Sequence, residues 1–240
     1  MIGLLSWKFT REEALFESKE LEERNMGKKK NSNEEQKRRI AAYQDLCADM
    51  ESRGWMKIDG TISVEKATAM AFVTAGPFAL LFLILYFWIW QWSSFTLVEG
   101  SLLLLLFLIS IPVHEGIHGL TWGCFCKNRW HSIGFGVMWS SLTPYCHCKE
   151  PLGVRAYFWG GIMPFLILGV GVSFFALMWG NILCLWLGLL NLLAAGGDTT
   201  ILYELLKCRK ENGGDLLIAD HPNQCGFVAF RKNYEKIEVS

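Results

Sequence analysis

Leu102-Leu103-Leu104-Leu105-Leu106-Phe107-Leu108-Ile109-Ser110-Ile111-Pro112-Val113-His114-Glu115-Gly116-Ile117-His118 carries both the fold and the candidate chemistry of this chain. The run is apolar enough for a bilayer helix, where each ionisable group costs about 2.5–3.5 kcal/mol on insertion scales. His114, Glu115 and His118 within five positions are therefore costly unless they are used. On an α-helix, residues four apart share a face with Cβ atoms roughly 5–6 Å apart, so the two imidazoles can reach one metal ion. Glu115 projects beside them, where it can hold a water bound to that ion. The plainer alternative is a pair of histidines hydrogen-bonded between helices.

Outward from this stretch, the composition agrees with a membrane protein. Of 240 residues, 52% are hydrophobic and 11 are Trp, and the mean hydropathy is +0.25. Runs of about 20 apolar residues, the length a bilayer demands, occur at Ala67 to Trp92, Ser101 to Phe125, Ala156 to Trp179 and Ile182 to Leu206. Net charge is zero, yet every Lys and Arg precedes Ala67, lies between Cys126 and Ala156, or follows Leu206. By the positive-inside rule the N-terminus, the middle loop and the C-terminus are expected in the cytoplasm of a multipass cell-membrane protein. Most of the eight cysteines then face a reducing compartment, which argues against disulfides. Met1 to Leu5 is too short an apolar run for a signal peptide. The expected fold class is an all-α membrane protein with four transmembrane helices, a cytoplasmic β-hairpin loop and a helical N-terminal arm. Residues 1–54 form the arm, 55–207 the membrane domain and 208–240 a cytoplasmic tail.

H-E-x-x-H on a helix is the ligand arrangement of zinc peptidases, with Glu as general base. Zinc in a hydrolase usually takes three protein ligands and a water, so two His leave one place open. Asp198 is the one carboxylate well inside the last span. At 1.5 Å per residue, His114 lies about 18 Å below Leu102 and Asp198 about 24 Å below Ile182, a match within roughly one turn. Glu204, nearer the interface, is the substitute. Asn191 is a candidate helper for an oxyanion. Pro112 removes a backbone donor just before His114, and Pro77 should kink the first span. Gly119, Gly123, Gly196 and Gly197 would let helices approach closely.

In the arm, Thr10 with Glu13 and Ser32 with Glu35 have capping-box spacing. They open one helix through about Arg24 and another, striped by Ile40, Tyr43, Cys47 and Met50, that ends at Gly54. A helical pair lying on the membrane surface is expected there. Trp55 to Ile58 reads as a short strand or an interfacial anchor. Arg129 to Cys148 alternates around Gly134 and Gly136 and reads as a β-hairpin. Its open edge would offer pairing to an extended substrate segment. Cys124-Phe125-Cys126 and Cys146-His147-Cys148 form a rival candidate for a structural zinc centre, although C-x-C is a weaker signal than C-x-x-C. In the tail, Leu216 to Ile218 and Gly226 to Phe230 read as a second hairpin around Asp220-His221-Pro222-Asn223. His221 is a remote candidate for the metal.

His114-Glu115-Gly116-Ile117-His118-Gly119, Thr143-Pro144-Tyr145-Cys146-His147-Cys148-Lys149-Glu150-Pro151-Leu152 and Ala194-Ala195-Gly196-Gly197-Asp198 together resemble the putative zincin peptidases, small bacterial multipass membrane proteins. Asp220-His221-Pro222 is similar to the family's tail, and the resemblance spans roughly Trp55 to Phe230. A wider likeness is to site-two-type intramembrane metalloproteases, whose third ligand is an Asp in an Asn-x-x-Pro…Asp-Gly segment. Asn191 and Asp198 echo it, with Ala194 where proline would stand and Thr199 where glycine would follow. The resemblance implies a zinc-dependent peptidase. In that reading His114, His118 and Asp198 hold Zn²⁺, Glu115 is the catalytic base, and a membrane protein or peptide within the lipid bilayer is the substrate. No nucleic-acid partner is expected, and oligomeric state is left open. The rival is a noncatalytic metal-binding membrane scaffold or regulator. Metal transport is a third, weaker reading, because polar residues do not track along more than two spans.

Overall fold

A computed structural model describes residue 34 and residues 36–91, 96–138 and 143–232. The helix expected at Thr10 to Arg24 lies outside the described residues. Helix α1 covers 36–52 and strand β1 is Trp55–Ile62, the two joined through Gly54 at φ +80°, a left-handed conformation that glycine adopts without steric cost. Helices α2 (Val64–Thr74) and α3 (Gly76–Ile89) follow, with Pro77 in the first turn of α3, where its missing N–H has no helical partner to lose. Helix α4, Leu97–Phe125, runs unbroken through Pro112 and opens on a capping box between Thr96 and Glu99. A turn of 3₁₀ helix leads into β2 (Ile133–Met138) and β3 (Thr143–Cys148), an antiparallel pair with Phe135 opposite Cys146. Strand β4 is Leu152–Gly153. Helix α5 (Val154–Pro164), a π-helical stretch Phe165–Gly171 and α6 (Val172–Trp179) then make one long rod. Helices α7 (Ile182–Ala194) and α8 (Gly196–Asn212) precede β5 (Leu216–Asp220) and β6 (Cys225–Lys232).

The chain is mostly helical. Among the described residues, Val64–Ile89, Leu97–Phe125 and Val154–Trp179 are each long and apolar enough to cross a membrane. A fourth stretch, Ile182–Ala194 with Gly196–Asn212, passes the same test but bends by 42° at its break. The sequence marks this stretch as one apolar run, Ile182 to Leu206. The bend falls at the low-propensity pair Gly196-Gly197. Gly196 packs so tightly against Ala71 of α2 that a Cβ there would overlap it, and Thr74 Oγ1 meets Thr199 Oγ1 at 2.7 Å. Gly119 and Gly123 also serve close approach, but to Phe135 and Trp130 of the loop rather than to a helix.

To the all-α expectation the structure adds a four-stranded sheet in the order β1-β6-β5-β4. The expected tail hairpin is its centre. Trp55 pairs with Lys232 and Ile62 with Cys225, while Leu152 of β4 pairs with Ile218. The stripe on α1 is covered by this sheet instead of lying on a lipid surface: Cys47 and Met50 are buried with Ala219, Val228 and Phe230. The other face of the sheet packs on the helices, through a core that includes Trp122, Tyr157, Leu202, Leu205, Phe227 and Ala229.

Candidate metal centre

Helix α4 sets His114 and His118 one turn apart, and the bend puts Asp198 in the first turn of α8, facing them. His114 Nε2 lies 3.0 Å from Asp198 Oδ2, His118 Nε2 lies 3.4 Å from the same oxygen, and the two Nε2 atoms are 3.1 Å apart. One ligand atom from each of the three residues lies within 4.8 Å of the other two. Ligands about 2.0–2.1 Å from a tetrahedral zinc stand roughly 3.3 Å apart, so the spacing fits.

Tautomers sharpen the test. His118 Nδ1 is 2.8 Å from the Gly160 carbonyl oxygen, so Nδ1–H donates there and Nε2 presents a lone pair to the cluster. Pro164 explains why that carbonyl is available: four residues after Gly160, it has no N–H to return along the helix. The lone pair of His118 Nε2 then meets His114 Nε2 and an Asp198 oxygen, a set that could bind a cation. Gly160 also has to be glycine, because a Cβ there would overlap the Trp122 indole. That indole stacks on His118 at 5.1 Å and 15° and donates from Nε1 to the Tyr157 carbonyl at 3.2 Å.

Glu115 sits beside the cluster and accepts a hydrogen bond from the Cys146 backbone N–H of β3. The hairpin thus lies against the motif helix, as its place in the chain suggested. Lys149 N–H turns inward to Ser132 O, so Cys146 and Cys148, in the opposite phase of the strand, turn their N–H groups outward. The second of these meets Asp220 Oδ2 at 3.0 Å. Two carboxylates therefore occupy the outer edge of β3, which was expected to be open.

Other candidates lie elsewhere. Glu204 pairs with Lys66 at 2.6 Å. Asn191 Nδ2 donates to Leu187 O of its own helix at 2.9 Å. His221 Nδ1 accepts from the Gln224 N–H at 2.9 Å, closing its own turn, and its ring meets Tyr43 edge-on. Among the described residues the C-x-C pairs form no four-thiol site: Cys124 is exposed and its thiol turns back to Leu120 O of its own helix. Cys126 and Cys148 do meet, Sγ to Sγ at 3.1 Å, and burial pushes both thiols up, away from the thiolate a metal would need.

Asp220, Tyr157 and Gly160 had no role in the sequence reading, although Asp220 lies in a tail motif quoted above. Asp220 is half-buried where β5 ends, and desolvation raises its pKa against the lowering effect of its Cys148 and Tyr157 partners. The Tyr157 hydroxyl donates to its Oδ1 at 2.7 Å.

A cluster of two imidazoles and one carboxylate, set among helices long and apolar enough to cross a membrane, fits a zinc metallopeptidase centre. Residues 107–212 match the model of the family described as "Putative zincin peptidase", which bears out the resemblance read from the motifs. The match takes in α4 from Phe107 onward, the hairpin and everything through α8, and is narrower than the span read from the sequence. No curated protein and no solved structure matches the chain. The family implies zinc, and the His114, His118 and Asp198 group could bind such an ion.

Proposed function

We propose that this protein is a zinc-dependent intramembrane peptidase that cuts a membrane protein or peptide near the cytoplasmic side of the bilayer. The observation that carries the reading is the meeting of His114, His118 and Asp198 on two apolar helices, with Glu115 one residue from the first ligand. His114 Nε2, His118 Nε2 and an Asp198 oxygen would hold the ion. Zinc bound in such a set brings the pKa of its water to about 7 and polarises a carbonyl oxygen. The Glu115 carboxylate, oriented by the Cys146 N–H, accepts the proton of the attacking water and delivers it to the leaving amine. His118 is kept in the ligating tautomer by Gly160 O, and Trp122 covers its ring.

Sidedness is supported by the sheet. Strands β1, β4 and β5–β6 precede the first span, precede the third and follow the fourth, and their pairing requires those three points to share one end of the bundle. An even number of crossings separates each from the next, and the lysines and arginines gather at that end.

Glu115→Gln decides between catalysis and a metal-dependent scaffold. The purified variant should keep wild-type zinc content while its membranes accumulate the uncut substrates that wild type removes, as read by comparative proteomics of cleavage termini. Identical termini in both would sink the peptidase reading and favour a noncatalytic role.

A further inference from the structure

We infer that Asp220, on the tail strand β5, is a positioning residue for the metal centre, acting through α5 on His118 and through β3 on Glu115. The inference rests on the zinc reading of His114, His118 and Asp198. One oxygen of Asp220 accepts the Tyr157 hydroxyl at 2.7 Å and the other accepts the Cys148 N–H at 3.0 Å. Each contact is one step from the centre. The peptide oxygen of Tyr157 takes the Trp122 indole N–H, that indole stacks on His118, and Gly160, one turn further along α5, receives His118 Nδ1–H. On the other side, the Cys146 N–H lies two residues before Cys148 on the same outward phase of β3, and it meets Glu115.

A single carboxylate therefore spaces the two elements that flank the motif helix. The placement is built from the backbone as well. Leu152 and Gly153, immediately before α5, pair with Ile218 and Leu217, two and three residues before Asp220, so the start of α5 and the carboxylate share one piece of sheet. A half-buried carboxylate with both oxygens engaged costs desolvation, and neutral apolar packing would fill the same volume more cheaply. The cost is understandable if the two bonds fix ligand orientation, since partners behind metal ligands are typically worth 10–100-fold in metal affinity.

The test uses the full chain in detergent with zinc and cobalt alone as probes. Tyr157→Phe removes one hydroxyl and leaves the ring; Asp220→Asn keeps the volume; His118→Ala reports on the centre itself. Zinc affinity by chelator competition should fall about 10-fold in both positioning variants. The visible d–d spectrum of the cobalt-loaded protein should shift in both, and Asp220→Glu should restore part of the affinity. Wild-type affinity and an unchanged cobalt spectrum in Tyr157→Phe overturn the inference even if the melting temperature drops, because that is the pattern of a merely structural contact. If Asp220→Asn does not fold, Tyr157→Phe decides. Loss of zinc in His118→Ala with none of these changes overturns the inference and leaves the metal reading standing, whereas a wild-type chain that binds no zinc overturns both.

Discussion

Gly160 and Pro164 show how residues outside a candidate metal cluster can set the orientation of its histidine. The proline frees a carbonyl by having no N–H, and the glycine lets that carbonyl reach His118 without a Cβ striking Trp122. Pro164→Ala supplies an N–H that competes for the Gly160 oxygen, so zinc affinity should fall by about tenfold or less. The melting temperature should hold or rise, because a helical hydrogen bond is gained. Gly160→Ala should act in the opposite balance. Overpacking against the indole is expected to cost about 1–3 kcal/mol, read as a lower unfolding midpoint, and zinc affinity should drop with it. An alanine at 160 that leaves both measurements unchanged would contradict the close approach of α4 and α5.

At the scale of elements, the turn between α4 and β2 depends on one carboxylate. Glu150 accepts the backbone N–H groups of Lys127 at 2.9 Å and Asn128 at 3.2 Å, together with the Ser132 hydroxyl. Burial alone would raise its pKa, yet these donors outweigh it and hold Glu150 below the ordinary glutamate range. A depressed folded-state pKa means stability that is present above the unfolded value, about 4.3, and is lost as pH falls below it. The melting temperature should decline on acidification through that window, and Glu150→Gln should flatten the decline while lowering the plateau at neutral pH. Elements of this kind differ in how far the sequence announces them. The motif helix, the apolar spans and both hairpins are local patterns, with periods of 3.6 or 2 and turn residues between them, and they stand where the pattern puts them. The bend at Ala195 was hidden because glycine in a span signals close packing and bending alike, and only the contact with Ala71 distinguishes them. Asp220 read as a turn residue because a carboxylate at a strand end is normally solvated. Its hydrogen-bond partners, Tyr157 and Cys148, lie 63 and 72 residues away.

For the molecule as a whole, the sheet is what ties the metal centre to both ends of the chain. No periodicity in β1 names β6 as its neighbour, since that pairing joins Trp55 to Lys232 across the entire membrane region. Once formed, it constrains topology more tightly than hydropathy does. Hydrogen-bonded strands lie about 4.8 Å apart, far less than the roughly 30 Å of a hydrocarbon core. The segments leading into α2 and α5 and out of α8 therefore cannot lie on opposite faces. Asn181, between α6 and α7, belongs at the far end of the bundle, separated from the sheet by the long rod of α5 and α6. Single cysteines placed at Lys149, Asp215 and Asn181 in a chain otherwise free of cysteine should report this with a membrane-impermeant thiol reagent on sealed, oriented vesicles. Positions 149 and 215 should label together from one side, and 181 only from the other. Labelling of 149 and 215 from opposite sides would break the proposed four-crossing arrangement, and with it the proposed placement of Glu115 and the hairpin at the cytoplasmic face. Labelling of all three from one side would mean that the bent pair α7–α8 re-enters rather than crosses.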